Sequence, residues 1–210
     1  MFNTHTEFPT AELAGLLSAG VVPADGHILE VGCGAGTETL MLVTAGCSVV
    51  AIEPDAELRQ RAEERLPDDL DEDQVELLEI DAADYDPEAC SFDAAIERLV
   101  LINLGEDHQV AIIRMVARAL KQASPFLLRS RFADSEVADD FECGWGRVDH
   151  GDHTLCLRAR DELRRYFTFR GPPTAFAGLI TPEHGAARIL SAYPLIVEVG
   201  YRNKRRVDPA

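Results

Sequence analysis

The chain lacks the marks of membrane, secreted and metal-binding proteins. No apolar run approaches the roughly 20 residues that cross a bilayer, and the first residues have neither the basic start nor the apolar centre of a signal peptide. The five cysteines are widely scattered and form no C-x-x-C pair, so we expect neither a disulfide framework nor a bound metal. These absences predict a cytoplasmic protein with reduced thiols.

Positive charge is also scarce. The sequence has 20 lysines and arginines against 37 aspartates and glutamates, which gives a formal net charge of −17 at pH 7. Such a surface repels phosphate backbones and anionic lipid headgroups, and this argues against nucleic acid and membranes as partners. One basic cluster, at residues 202–206, is interpreted as a solvated terminus, with contact to a phosphate-bearing substrate as the alternative.

Apolar runs alternate with helical patterns along the chain, which is the order expected of a parallel sheet covered by helices. The 210 residues, 46% of them hydrophobic, suffice for one α/β domain and are few for two. Strands are predicted at 28–31, 49–52, 75–80, 92–96, 125–128 and 195–201, and helices at 10–19, 37–45, 55–66, 109–122 and 181–193. Residues 155–169 fit a helix or a hairpin, and their aromatic residues favour the hairpin. The last strand of the sheet is then either missing or supplied by this region.

Three glycines at alternate positions follow the first predicted strand. Gly32, Gly34 and Gly36 allow a sharp turn and a close approach of the backbone to a ligand. Thr37 stands where the dinucleotide fingerprint G-x-G-x-x-G has its last glycine, and no lysine follows, so a P-loop is excluded. The next strand ends at Glu53, whose carboxylate can accept both hydroxyls of a ribose at the ligand-binding edge of an open α/β sheet.

Residues 29–37 read LEVGCGAGT and resemble the first motif of the class I S-adenosylmethionine-dependent methyltransferases. The resemblance implies a Rossmann-like, doubly wound and mostly parallel sheet, with S-adenosylmethionine as cofactor. It also implies methyl transfer to a small-molecule acceptor by in-line displacement, and it assigns Asp81 to the adenine amino group. The cofactor-binding residues that it implies are Glu30, Gly32, Cys33, Gly34, Gly36, Glu53, Pro54, Asp81, Ala82 and Glu97.

The same resemblance predicts how the chain is divided. Residues 20–130 are the cofactor-binding core, residues 132–180 are a substrate-facing insertion, and the whole of 1–210 is one domain. Residues 92–96, which read FDAAI, correspond to the stretch that has the form Phe-Asp-x-Val in the family, where the loop after this strand meets both cofactor and substrate. Candidate substrate residues, which can also be explained as surface ion pairs, are Arg98, Arg129 and Arg131.

No catalytic residue is assigned. A sulfonium methyl group is already activated, so positioning and desolvation can accelerate its transfer without a general base. If the methyl acceptor must lose a proton, a general base is needed, and the histidines considered for it can equally be surface residues. The four candidates for this base are His5, Glu142, His150 and His153.

Two other functions remain open. The region around residues 129–132 weakly resembles transfer-RNA 3-methylcytidine methyltransferases, although the acidic surface argues against RNA. A cofactor-binding subunit without turnover is the third hypothesis. We expect a monomer or a homodimer in each case.

Overall fold

The computed structural model describes residues 11–71, 73–132, 157–170 and 195–203. Its helices α1 to α5 are Ala11–Ser18, Thr37–Thr44, Ala56–Arg65, Glu106–Ala119 and Leu157–Tyr166. Its strands β1 to β7 are His27–Val31, Ser48–Ile52, Val75–Leu78, Ala94–Arg98, Pro125–Phe132, Phe167–Arg170 and Leu195–Asn203. A single 3-10 turn, Leu101–Asn103, lies between β4 and α4 in this part of the chain. The predicted helix at 181–193 lies outside the described residues.

The described strands form one seven-stranded sheet in the order β3-β2-β1-β4-β5-β7-β6. The first five strands are parallel, and β7 runs antiparallel to both β5 and β6. This arrangement confirms the predicted Rossmann-like, mostly parallel α/β fold. It also decides how the sheet ends, because the strand Phe167–Arg170 supplies the edge beside β7.

Helices cover both faces of the sheet, which is why its central strands are almost continuously apolar. Leu29 and Val31 of β1 pack on the face that is covered by α4 and α5. Ile28, which points the other way, packs with residues of α1, α2 and α3. The two hydrophobic layers hold the carboxyl ends of β1, β2 and β4 side by side.

The hairpin predicted at 155–169 is wrong, because most of this region is the helix α5. Ala159, Leu163 and Tyr166 recur at helical spacing and are buried against the core. The aromatic residues at 166–169 favoured a strand, but Tyr166 is the last residue of the helix α5 and the strand β6 begins only at Phe167. Phe167 packs on Phe126 of β5 with ring centroids 5.4 Å apart. Packing of the apolar stripe therefore outweighs the strand propensity of the aromatic residues.

Two boundary shifts affect the site. Helix α4 begins three residues before the predicted 109, because Glu106 and Asp107 form an acidic first turn that the helix dipole favours. Strand β4 ends at Arg98, two residues beyond the prediction, so Glu97 and Arg98 are strand residues at the carboxyl edge. Among the described helices, none is long and apolar enough to cross a membrane.

Candidate active site

The glycine turn between β1 and α2 is held by packing at both ends and is open in the middle. All three glycines have left-handed backbone angles, with φ of 73° at Gly32, 56° at Gly34 and 74° at Gly36. A Cβ atom at Gly32 would overlap the side chain of Val100, and one at Gly36 would lie 2.8 Å from Cβ of Ala62. A Cβ atom at Gly34 would meet nothing within 4 Å. Two glycines thus serve close packing, whereas Gly34 exposes backbone to open space.

Glu53 ties the end of β2 to this turn. Its carboxylate accepts the backbone N–H of Gly34 at 2.9 Å through Oε2 and that of Asp55 at 3.0 Å through Oε1. An ionised carboxylate offers about four lone-pair positions, so one on each oxygen remains for a ligand. The side chain is buried to 8% exposure, which places these acceptors at the base of a cleft.

Glu30 is a second acid beneath the turn, and it is almost completely buried. The hydroxyl of Thr39 donates to its Oε2 at 2.7 Å. Burial raises the pKa of Glu30 to about 7, against the opposing effects of the Thr39 hydrogen bond and the positive charge of Arg98. Its charge therefore responds to whatever binds beside it near neutral pH.

The cleft at the carboxyl edge has a volume of about 740 Å³. Its wall near β4 is mostly apolar, and its charged lining residues are glutamates and arginines in comparable numbers. Apolar walls with a few convergent polar groups are typical of small-molecule sites. The charged and polar lining residues are Glu30, Thr37, Glu38, Glu53, Arg61, Glu64, Arg65, Arg98 and Asn103.

Part of the chain is similar to known methyltransferases. Residues 28–123 match the family model described as a methyltransferase domain. An uncharacterized methyltransferase from Bacillus thuringiensis (strain Al Hakam) is 29% identical over 114 residues, which are 54% of this chain and 49% of that protein. The match thus spans about half the length of this curated relative.

The same fold is found in solved structures of S-adenosylmethionine-dependent methyltransferases. One from Mesorhizobium loti is 20% identical with a TM-score of 0.61, and the match covers 91% of this chain and 97% of that one. The N-methyltransferase NodS from Bradyrhizobium japonicum WM9, in complex with S-adenosyl-L-homocysteine, is 18% identical with a TM-score of 0.62 over 93% of this chain and 85% of that one. Residues 28–123, somewhat under half of the chain, are thus similar to a methyltransferase domain, and these solved structures share the fold.

The residues of this methyltransferase-like region fit S-adenosylmethionine as a cofactor. A Cβ atom at Gly34 would fill the space that a ligand needs, and Glu53 keeps acceptor positions for ribose hydroxyls. Glu30 and Glu38 add two carboxylates to the lining of the cleft, and carboxylates suit a cationic group such as a sulfonium. The cleft therefore offers hydrogen bonding for a nucleoside together with negative charge for a cation.

The cleft gathers five of the ten predicted cofactor-binding residues, namely Glu30, Gly32, Cys33, Gly34 and Glu53. Cys33 is buried, and burial raises the pKa of its thiol, which disfavours the nucleophilic thiolate form.

The other predicted cofactor-binding residues are not among the cleft's lining residues. Gly36 packs on Ala62 instead. Asp81 lies beyond the end of β3, where its Oδ1 accepts the backbone N–H of Ala83 at 2.8 Å and its Oδ2 is 3.7 Å from Nε2 of His108. The remaining three are Pro54, Ala82 and Glu97.

Glu97 faces away from the cleft and supports the loop after β4. Its Oε1 accepts the backbone N–H groups of Val100 at 2.5 Å and Leu101 at 2.9 Å. Its Oε2 is buried without a hydrogen-bond partner among the described residues. Burial raises the pKa of Glu97 to about 8, so the group is mostly protonated at neutral pH. Glu97 thus fixes the loop whose Val100 side chain rests on Gly32.

The raised pKa of Glu97 predicts a pH-dependent stability. An acid whose pKa is about 8 when folded and 4.5 when unfolded favours folding most below pH 4.5, and this contribution is lost as pH rises towards 8. We expect Glu97→Gln to keep both acceptor contacts and to flatten the fall in unfolding free energy between pH 5 and 8 by up to about 1 kcal/mol per pH unit. Glu30, with the same sign, keeps a residual slope in this variant. Urea titrations of both proteins across this range measure the difference, and parallel curves contradict the assignment.

Several lining residues were missed in the sequence. Glu38 lies in the first turn of α2, directly after the glycine motif, and Leu99, Val100 and Asn103 follow β4. The loop position was available from the family pattern, but the individual residues were not. Arg61 and Arg65 reach the cleft from α3, where their spacing of four residues placed them on one face.

The predicted substrate arginines lie on neighbouring strands. Arg98 lines the cleft, and in the register of β4 and β5 its Cα is paired with that of Arg129. Arg131 lies further along β5, opposite Ile196 of β7. The four candidate bases lie outside the described residues: His5, Glu142, His150 and His153.

Proposed function

We propose that this chain is an enzyme that transfers the methyl group of S-adenosylmethionine to a small-molecule acceptor. When bound, the cofactor supplies an activated sulfonium methyl group, so the protein needs chiefly to position the acceptor and exclude water. The observation that carries the proposal is the contact between Glu53 and the N–H of Gly34 at the floor of the cleft. This hydrogen bond joins the carboxylate that is proposed to accept the ribose hydroxyls to Gly34, the glycine of the turn that faces open space.

The proposed cofactor site extends from β3 to β4 along the carboxyl edge. Glu53 accepts the ribose hydroxyls, and the backbone of residues 32–36 lies against the sulfonium end above Glu30. Glu53 N donates to Leu78 O, so the loop after β3 begins beside β2. We assign the adenine ring to this loop, with Asp81 and Ala82, and to Pro54 after β2.

The acceptor is proposed to lie against the loop after β4. Leu99, Val100 and Leu104 give this wall an apolar surface, and Asn103 adds an amide that donates to Leu99 O at 2.5 Å. An apolar wall in a cleft of this size favours a small molecule, and the net charge of −17 disfavours RNA. We further propose that all 210 residues form one domain and that residues 132–180 contribute to acceptor recognition.

Calorimetric titration with S-adenosylhomocysteine and S-adenosylmethionine tests the cofactor, with NAD as the control ligand. We expect both sulfur nucleosides to bind in the micromolar range and NAD to give no heat, because the turn lacks the dinucleotide glycine spacing. Absence of binding by either sulfur nucleoside contradicts the proposal.

Transfer of a radiolabelled methyl group tests the acceptor. Small-molecule and transfer-RNA fractions of a cell extract are incubated separately with the enzyme and labelled cofactor at moderate salt. We expect label only in the small-molecule fraction. Label in transfer RNA supports the RNA alternative, and tight cofactor binding without transfer to either fraction supports a non-catalytic subunit.

A further inference from the structure

A largely buried cluster of opposite charges lies between the end of β4 and the first turn of α2. Arg98 Nη1 forms an ion pair with Glu38 Oε1, and these side chains are only 19% and 12% exposed. Glu30 lies on the same face of the sheet, because its partner in register is Ile96, two residues before Arg98. All three charged side chains line the cleft.

This combination of charges suits an α-amino acid. Such a group carries an ammonium and a carboxylate on one carbon, so it needs carboxylates and a cation side by side. Glu30 and Glu38 provide the first, and the guanidinium of Arg98 provides the second. A guanidinium has five N–H donors in a planar fork that matches a carboxylate, so it can serve Glu38 and a ligand together.

We infer that Arg98 binds the α-carboxylate of the amino-acid end of the methyl donor, and that Glu38 is the positioning residue that orients its guanidinium. This rests on the proposed function, and it moves Arg98 from the acceptor to the cofactor. Strands β2, β1 and β4 are neighbours, so the carboxyl ends that carry Glu53 and Arg98 are about 10 Å apart. The ribose and the carboxylate of the donor are likewise separated by the linker that contains the sulfur.

The other two arginines of the cleft are placed differently. Both lie on α3, across the turn from β4. Arg61 is half exposed and forms an ion pair with Glu57 at 2.5 Å, one helical turn away. Arg65 donates to the hydroxyl of Thr37 at 2.8 Å. Among the described lining arginines, only Arg98 lies at the end of a central strand and has two carboxylates nearby that are shielded from solvent, the buried Glu30 and the largely buried Glu38.

Two ligands that differ only in the amino-acid group test whether Arg98 binds the ligand's α-carboxylate. S-adenosylhomocysteine carries the amino acid, whereas 5′-methylthioadenosine has the same nucleoside and thioether without it. Calorimetric affinities for both ligands are compared in the wild type, in Arg98→Met, in Arg98→Lys and in the control Arg118→Met, which removes an exposed, ion-paired arginine of α4 outside the cleft. Glu38→Gln is included because it removes the charge that holds Arg98.

We expect Arg98→Met to weaken S-adenosylhomocysteine about 10- to 100-fold and 5′-methylthioadenosine less than about threefold, which is the effect of losing a charged hydrogen bond. Arg98→Lys recovers part of the loss, since it keeps the charge without the fork. Glu38→Gln gives a smaller loss with the same ligand selectivity, and Arg118→Met leaves both affinities unchanged.

The two ligands also distinguish failure of the inference about Arg98 from failure of the proposed function. Equal weakening of both ligands by Arg98→Met indicates a purely structural ion pair and overturns the inference, as does unchanged affinity for S-adenosylhomocysteine. Binding of 5′-methylthioadenosine at wild-type strength shows that the variant is folded. Failure of the wild type to bind either ligand contradicts the proposed function itself.

Discussion

Replacing Glu53 by alanine is expected to weaken S-adenosylhomocysteine binding by at least about 100-fold. The substitution removes the acceptor of two backbone N–H groups, those of Gly34 and Asp55, together with the proposed ribose contact. Each charge-assisted hydrogen bond contributes about 1.5–3 kcal/mol. Loss of the ribose contact together with release of the turn therefore accounts for a weakening of at least about 100-fold. Calorimetric titration of the variant measures the loss.

Glu64→Ala provides the matched control for this experiment. Glu64 lines the same cleft but accepts its hydrogen bond from Gln60 on its own helix, away from the glycine turn. We expect its removal to leave the affinity within about threefold of the wild type, as for other exposed side-chain pairs. An affinity of Glu53→Ala equal to that of Glu64→Ala would remove Glu53 from the site.

Gly36→Ala is expected to destabilise the fold by about 2–5 kcal/mol. The new Cβ atom would lie 2.8 Å from Cβ and 2.9 Å from Cα of Ala62, on a backbone with φ of 74°. A left-handed angle costs an L-residue about 1–2 kcal/mol, and overpacking adds about 1–3 kcal/mol. Urea denaturation with and without the substitution measures the change in unfolding free energy.

Gly34→Ala separates packing from ligand binding in the same turn. Its φ of 56° gives a similar backbone strain, but its Cβ atom would meet open space. We therefore expect a loss of only about 1–2 kcal/mol in stability, and a loss of cofactor affinity because the methyl group fills the cleft. Equal destabilisation by Gly34→Ala and Gly36→Ala would contradict the packing described at Ala62.

The parts of the fold that could be predicted are those where local pattern and tertiary packing agree. Strands β1 and β2 are almost continuously apolar because both sheet faces are covered, and Asp55 caps α3 through the N–H groups of Glu57 and Leu58. The hairpin prediction at 155–169 failed because aromatic residues at a helix–strand junction serve both elements. Only the contact of α5 with α4 distinguishes them, and that contact is remote in sequence.

The candidate site could be predicted in its backbone and less well in its side chains. The glycine spacing located the turn, and Glu53 follows from its place at the end of β2. The direction of Glu97 was not available from the sequence, because it depends on where the alternation of β4 ends and on how the next loop turns back. Glu38 was missed because a single acid in a first helical turn is usually explained by the helix dipole alone.

The hydrogen bond between Glu53 and Gly34 makes the site preorganised. The acid that is proposed to receive the ligand is already immobilised by the turn, and the turn is immobilised by the acid. Little conformational entropy then remains to be lost when the ligand arrives, so more of the contact energy appears as affinity. A shorter aspartate at position 53 cannot bridge the same gap, and a glutamine presents an N–H₂ group to one of two backbone donors. The length and the charge of this one side chain are therefore both fixed by the turn before any ligand is considered.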